Sequence, residues 1–417
     1  MTGRDAWPCI QGAVAFKRNP PPQKHILNKA LSCDTFSFPQ FSLASISHGR
    51  DSAMNSITLF PGRYIQGKGA LHDLGAECAR LGSKAFLIAS PYSLEHYAKT
   101  ILENAPEGLV IVQEQFKREC SDEEIQRLHE LCAKNQCDLV VGLGGGKTLD
   151  AAKAAAHKAG VPVIMAPTIA STDAPCSSVC VIYTPEGVFS WVDYLPRNPD
   201  VVLVDTSIIA KAPARFLASG MGDALATWFE AESCRIKRAP NIAGAVGSMT
   251  AYALARLCWE TIRDYGVSAL SACEANVVTP ALERVVEANT LLSGIGFESA
   301  GLAAAHAIHN GLTVVPGINR FYHGEKVAFG VLVSLFLTEK PPSLIDEIYG
   351  FCESIGLPTT LADLGMENAS DQLLLDVAEK ACTPEDSMHN EPFDISSAKI
   401  ADMIKAADAW GLKRKNG

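Results

Sequence analysis

The chain of 417 residues has no CxxC pair among its 13 cysteines, and its closest spacing, Cys176 to Cys180, fits neither a zinc finger nor a disulfide framework. The odd, scattered set reads as reduced, mostly packed thiols, with Cys234, Cys258 and Cys273 inside apolar helical stretches. No run of about 18 apolar residues is free of charge, so no membrane-spanning helix is expected. A basic excess is missing too: 36 Lys and Arg stand against 46 Asp and Glu, for a net charge of −10. That balance offers no attraction to nucleic acid or to anionic lipid. Hydrophobic residues reach 47% and charged ones only 20%, which excludes a disordered chain and leaves a globular one with room for two cores. No internal repeat is found.

Residues 1–53 differ from the rest. They hold Arg4, Lys17, Arg18, Lys24, Lys29 and Arg50 against Asp5, Asp34 and Asp51, with many serines and a run at Pro20, Pro21 and Pro22. A basic, Ser-rich, acid-poor leader is compatible with a mitochondrial transit peptide. A tail without an address fits as well, so mitochondrial matrix and cytoplasm both stand as locations.

Over residues 54–213 short apolar runs alternate with helical patterns. Residues 85–89 (AFLIA), 109–113, 138–143 (DLVVGL) and 161–166 have strand length. Ser121 opens a helix as its cap, with Glu124 three residues on. Strand–helix alternation predicts right-handed βαβ units and a parallel, Rossmann-like sheet. Residues 179–184 and 188–194, around Pro185, Glu186 and Gly187, read as a hairpin beside it. After Pro213 the strand-like runs stop and helical stretches take over at 214–234, 242–265, 280–294, 300–311 and 324–338. The expected architecture is an α/β domain over residues 54–213 followed by an all-α domain over residues 214–417.

Three clusters carry chemistry. Gly144, Gly145, Gly146, Lys147, Thr148 and Asp150 follow a strand and open a helix, whose free N–H groups and dipole suit a pyrophosphate. Position 141 is Val, so the spacing of a P-loop is not met, and the contiguous glycines miss the usual GxGxxG register. The next loop, Thr168 to Asp173, is dense in hydroxyls at the edge where parallel sheets bind ligands. Thr168 and Ser171 suit phosphate or ribose; Asp173 suits a substrate diol or the cap of a turn. Asp223 lies in an apolar helical stretch, where an ionised carboxylate needs a cation or hydrogen bonds. His306 and His309 share one helix face, and His323 precedes the next helix. Taken singly, each could be a satisfied core polar group. Asp223, His306 and His323 together form a donor set for Zn²⁺ or Fe²⁺ with a position left open for substrate, while His309 reads as a contact to a ligand residue or to substrate.

Residues 144–150 (GGGKTLD), 166–176 (APTIASTDAPC), 222–231 (GDALATWFEA) and 323–330 (HGEKVAFG) resemble the glycerol dehydrogenases, metal-dependent polyol dehydrogenases related to the iron-containing alcohol dehydrogenases. The resemblance runs from about residue 57 almost to the C-terminus. It implies the fold shared with dehydroquinate synthase, NAD as cofactor, and a metal on Asp223, His306 and His323 that is usually Zn²⁺ and less often Fe²⁺. It places the substrate-binding carboxylate at Asp173. Dinucleotide contacts fall on Gly145, Gly146, Lys147, Thr148, Leu149, Asp150, Thr168, Ile169, Ala170, Ser171, Ser177, Val179 and Tyr183. The implied reaction is reversible oxidation of glycerol to dihydroxyacetone, with related small vicinal diols as further substrates, Asp173 orienting substrate and water or His309 taking the proton. Members commonly assemble as homo-octamers.

One departure stands out. Many relatives end the strand matching residues 85–89 with an acid that bonds the adenosine ribose 2′-OH, whereas Ser90 occupies that place here. Ser90 can bond the ribose but would not repel a 2′-phosphate. A rival reading is a lyase of the dehydroquinate-synthase kind, also using NAD and Zn²⁺. Its phosphorylated sugar acid calls for clustered Lys and Arg, and the Asp173 loop offers a carboxylate instead.

Overall fold

The computed structural model describes residues 55–416. The leader expected over residues 1–53, and the transit-peptide reading with it, lies outside the described residues.

The strands are β1 (Tyr64–Gly67), β2 (Lys84–Ala89), β3 (Val110–Gln115), β4 (Leu139–Gly144), β5 (Val163–Pro167), β6 (Val179–Tyr183), β7 (Phe189–Tyr194) and β8 (Val201–Asp205). Six of them form one sheet in the order β1-β8-β5-β4-β2-β3, with every pairing parallel. β4 and β5 are buried along their whole length, the continuous apolar pattern of strands covered on both faces. β6 and β7 pair antiparallel as the expected hairpin. Between the sheet strands run α1 (Leu74–Leu81), α2 (Pro91–Glu103), α3 (Asp122–Lys134) and α4 (Gly146–Ala159). Ser121 caps α3 by accepting the Glu124 N–H at 3.3 Å. The Glu124 carboxylate turns to the Lys117 N–H instead, at 2.9 Å.

The helical half comprises α5 (Thr206–Ile209), α6 (Ala214–Lys237), α7 (Met249–Glu274), α8 (Pro280–Glu287), α9 (Ser293–Ala300), α10 (Ala304–Leu312), α11 (His323–Leu337), α12 (Pro342–Ser354), α13 (Asp371–Ala381) and α14 (Ser397–Asn416). No strand follows β8 among the described residues. Three helices differ from the sequence pattern, each for a local reason. The one expected from residue 242 starts at Met249, because the Asn241 side chain accepts the Ala243 and Ala245 N–H groups at 3.1 Å each and holds a loop. The one expected over 280–294 is interrupted by a π-helical turn at Ala288–Leu292 before α9. The one expected from residue 300 starts at Ala304, since Gly301 adopts φ 104°, outside helical space.

Among the described residues no single helix is long and apolar enough to cross a membrane. The described cysteines are free thiols, all buried except the half-buried Cys382.

Candidate active site

Asp223 sits mid-way along α6 with 1% of its surface exposed. Small residues let other elements reach it. A Cβ on Gly324 would collide with the Ser219 carbonyl oxygen, so glycine at the start of α11 lets that end press against α6. Arg215 of α6 fixes the crossing by gripping Glu325 through two hydrogen bonds of 2.6 and 2.9 Å, while Glu325 also accepts the Tyr322 N–H. His323, first residue of α11, thereby brings Nε2 to 3.1 Å from Asp223 Oδ1. His306 on α10 brings its Nε2 to 3.5 Å from the same oxygen. One donor atom from each of the three residues lies within 4.8 Å of the other two.

Both imidazoles are held from behind. His306 Nδ1 lies 2.6 Å from Glu230 Oε2, and Glu230 Oε1 accepts the His306 and Ala303 N–H groups at 2.9 Å. His323 Nδ1 lies 3.1 Å from His309 Nε2, His309 Nδ1 lies 3.1 Å from Asn310 Oδ1, and Asn310 donates to Asp386. A network satisfying all these groups puts the proton on Nδ1 of each imidazole. Both Nε2 lone pairs then point at Asp223 Oδ1, which is buried and has no hydrogen-bond donor. Three lone-pair donors facing one another are stable only with a cation or added protons among them. Their types, one carboxylate oxygen and two imidazole nitrogens, fit Zn²⁺ or Fe²⁺.

The electrostatics agree. Burial pushes the Asp223 carboxyl up, but the charge of His323 and the bonds with both histidines outweigh it and hold it far below the usual carboxylate range. Burial opposes a proton on His306, yet Glu230 and Asp223 raise its pKa well above the ordinary value, so without a cation a proton takes the place. His309 is pushed well below its ordinary value by burial, then by His323 and Lys326, as suits a neutral acceptor.

Asp173 follows β5 in the loop over residues 168–178 and is 8% exposed. Its N–H points to Asp223 Oδ2 at 3.4 Å, and its Oδ2 accepts from Ser293 Oγ at 2.8 Å. Burial and the charge of Asp223 raise its pKa well above the carboxylate range. The loop is tied to the helical half on its near side: Ser219 donates to the Ser171 carbonyl at 3.3 Å, and Asn289 bridges the Ala170 and Leu217 carbonyls at 3.2 Å each.

The glycine turn lies beside this loop at the C-terminal end of the sheet, with Gly144 opposite Pro167 and the Thr168 N–H on the Gly144 carbonyl at 3.0 Å. Gly145 caps α4 without a side chain, and a Cβ there would press on Ile169 at 3.0 Å. Lys147 pairs with Glu119 and lies 4.4 Å above the Tyr183 ring. Thr148 packs back against Gly144, and Leu149 is in the core. Asp150 turns away from the turn: its carboxylate pairs with buried Lys153 at 3.0 Å and accepts the Val181 N–H at 3.1 Å. Ser177 accepts the Val179 N–H and bonds the Ala174 carbonyl, both at 3.4 Å, so it shapes the chain between the Asp173 loop and β6. Ser90 caps α2 through the Ser93 N–H at 3.2 Å.

Several groups around the site escaped the sequence reading. Lys153, 1% exposed, donates to the carbonyls of Ala174, Ser177 and Val179, and its spacing three residues after Asp150 on a helix was the available signal. Glu298, fully buried, accepts from the Ser178 N–H and hydroxyl and from Asn198. Glu230 lies seven residues, two helical turns, after Asp223 and so shares its face. Ser293 and Asn289 carried no signal, because both come from the π-helical interruption and its flank.

Known proteins place this arrangement. Residues 61–206 match the family model described as iron-containing alcohol dehydrogenase. A glycerol dehydrogenase of Thermotoga maritima is 58% identical over 363 residues, covering 87% of this chain and 100% of that protein. The crystal structure of glycerol dehydrogenase from Schizosaccharomyces pombe superposes with a TM-score of 0.83 at 39% identity, over 87% of this chain and 93% of that one. A probable glycerol dehydrogenase from Sinorhizobium meliloti gives a TM-score of 0.82 at 42% identity, over 86% of this chain and 100% of that one. The chain belongs to the glycerol dehydrogenases within the iron-containing alcohol dehydrogenase family and is an oxidoreductase.

Proposed function

We propose that the protein reversibly oxidises glycerol to dihydroxyacetone, and small vicinal diols like it to the matching hydroxyketones, with NAD as hydride acceptor and Zn²⁺, ahead of Fe²⁺, held by Asp223, His306 and His323. The observation that carries the reading is the convergence of those three donor atoms, from three helices, beside the Asp173 loop and the glycine turn. A divalent cation bound there supplies Lewis acidity that makes a neighbouring alcohol more acidic.

The chain's own residues do the rest. Asp173, fixed by Ser293, orients the second hydroxyl of a diol, which a simple alcohol does not offer. The N–H groups at the start of α4, Gly145 to Lys147, cradle the pyrophosphate with Thr148 beside them, and Thr168 to Ser171 flank it. Ser177, Val179 and Tyr183 line the nicotinamide side. His309, neutral and bonded to His323, keeps that imidazole's inner nitrogen unprotonated, and the alcohol proton leaves through water or His309. Self-assembly as a homo-octamer is supported by the exposed apolar residues of the hairpin, Phe189, Trp191 and Tyr194 on β7.

The test is the absorbance of reduced nicotinamide with glycerol, 1,2-propanediol and ethanol as substrates. Glycerol-dependent reduction that a chelator abolishes and Zn²⁺ restores is expected, with ethanol the poorest substrate. Full activity in metal-free protein, or no net cofactor reduction by any diol, overturns the reading.

A further inference from the structure

The dinucleotide reading above also decides which end of the cofactor lies where, and this inference rests on it. The sheet order puts β5, and beyond it the loop bearing Asp173 with Asp223 behind, on one side of the glycine turn; β2 and β3 lie on the other. With the pyrophosphate on the turn and the nicotinamide toward Asp173, the adenosine crosses the end of β2 at Ser90. The Ser90 N–H donates to the Leu143 carbonyl at 3.1 Å, which sets the residue against the strand that carries the turn. On its other flank the Phe116 N–H donates to the Ala89 carbonyl at 2.8 Å, bringing Lys117 and Arg118 alongside.

A carboxylate at the strand end under the ribose bonds the 2′-OH and repels a 2′-phosphate, while a nearby cation accommodates the phosphate. Ser90 brings no charge, and its hydroxyl is engaged by the Ser93 N–H and hydroxyl at 3.2 and 2.8 Å. The acids flanking Lys117 and Arg118 are neutralised: Glu119 by Lys147, Glu114 and Glu124 by Arg127. Glu95 stands five residues further along, past the first turn of α2. Lys117 and Arg118 are exposed and take part in none of those pairs.

We propose that the adenosine end of the groove admits a 2′-phosphorylated dinucleotide, with Ser90 as the residue that permits it and Lys117 and Arg118 as the cations that meet the phosphate. Calorimetric titration of the full chain with ADP-ribose and with 2′-phospho-ADP-ribose tests this without relying on turnover. The wild type should bind the phosphorylated ligand within about threefold of the other. Ser90→Asp keeps the helix cap, since Asp caps as well as Ser, and should weaken the phosphorylated ligand by about tenfold or more through like-charge repulsion while sparing ADP-ribose. The double variant Lys117→Ala, Arg118→Ala should weaken the phosphorylated ligand alone, by a similar factor. A wild type that prefers ADP-ribose by about a hundredfold, or a ratio that neither variant moves, overturns the inference and leaves the dinucleotide reading intact. Binding of neither ligand overturns both.

Discussion

Gly145 and Gly146 offer bare backbone at the start of α4 and need little behind them, whereas Asp223, His306 and His323 present side chains that four other residues hold in position. On the sheet side, polar groups meet N–H donors that the fold supplies anyway: strand ends and a helix start. On the helical side, titratable groups are buried in apolar helices: Glu230 holds His306, and His309, Asn310 and Asp386 hold His323 in a chain, while Asp223 Oδ1 is left for a cation or a proton. The comparison teaches where substitutions cost most. A side chain lost from the sheet edge is replaced by water; one lost from the helical cluster leaves a buried charge without its partner.

The sharpest break comes at the cation. Asp223→Asn removes the anionic donor and keeps the shape. Metal content measured on the purified protein should fall to background, and diol oxidation should drop by at least about a hundredfold, more than loss of an outer partner costs. Retention of stoichiometric metal would end the assignment of Asp223.

Lys153 tests whether the sheet side has a buried-charge region of its own. It neutralises Asp150 and holds three carbonyls between the Asp173 loop and β6. Lys153→Met should cost about 3–5 kcal/mol of unfolding free energy, because it leaves Asp150 uncompensated. Adding Asp150→Asn should restore part of that loss. If the double variant is no more stable than the single in urea titration, the pair is not coupled and the contrast between the halves widens.

Two carboxylates outside the site show the same division. Asp138, at the start of β4, is burdened by desolvation but lowered further by the Lys84 and Ser83 N–H groups and the Ser83 hydroxyl, so its pKa falls below the ordinary value. Glu391, beside α10, is pushed up to about 7 by burial, which its bonds from Ser233 and Ala304 only partly offset. The signs differ accordingly. Asp138 stabilises the fold above its unfolded value, and that contribution goes only as the pH drops below it. Glu391 binds its proton more tightly folded than unfolded, so between about pH 4.5 and 7 its contribution to stability declines as pH rises. Over that window the wild type should lose about 3 kcal/mol relative to Glu391→Gln, which mimics the protonated form. A constant difference between the two at pH 5 and pH 7 refutes it.

Much of this was legible beforehand where the pattern is local. The buried strands β4 and β5 are short apolar runs, the glycine turn is contiguous in sequence, and Asp223, His306 and His323 announce themselves as polar residues in small-residue helices. The rest depends on tertiary contacts. Strand β1, four residues ending in Gly67, is half-buried and carries too short a pattern to read, although it closes the sheet against β8. Asp150 looks like part of the phosphate turn because it is adjacent in sequence, but it sits one helical turn in and points to Lys153. Position along α4 decides that.

Glu230 sharpens the comparison at its finest point, since it touches no substrate and acts through His306. Its carboxylate accepts two backbone N–H groups with one oxygen and the imidazole Nδ1 with the other. Glu230→Gln keeps an acceptor for the backbone and removes the charge that makes His306 a stronger donor. Metal affinity should fall about 10–100-fold, the usual cost of losing such a partner, while affinity for ADP-ribose at the glycine turn stays as it was. A chelator competition series gives the first number and calorimetry the second. If both fall together, the two ends of the site are not independently built, and the helical cluster and the sheet edge form one cooperative unit.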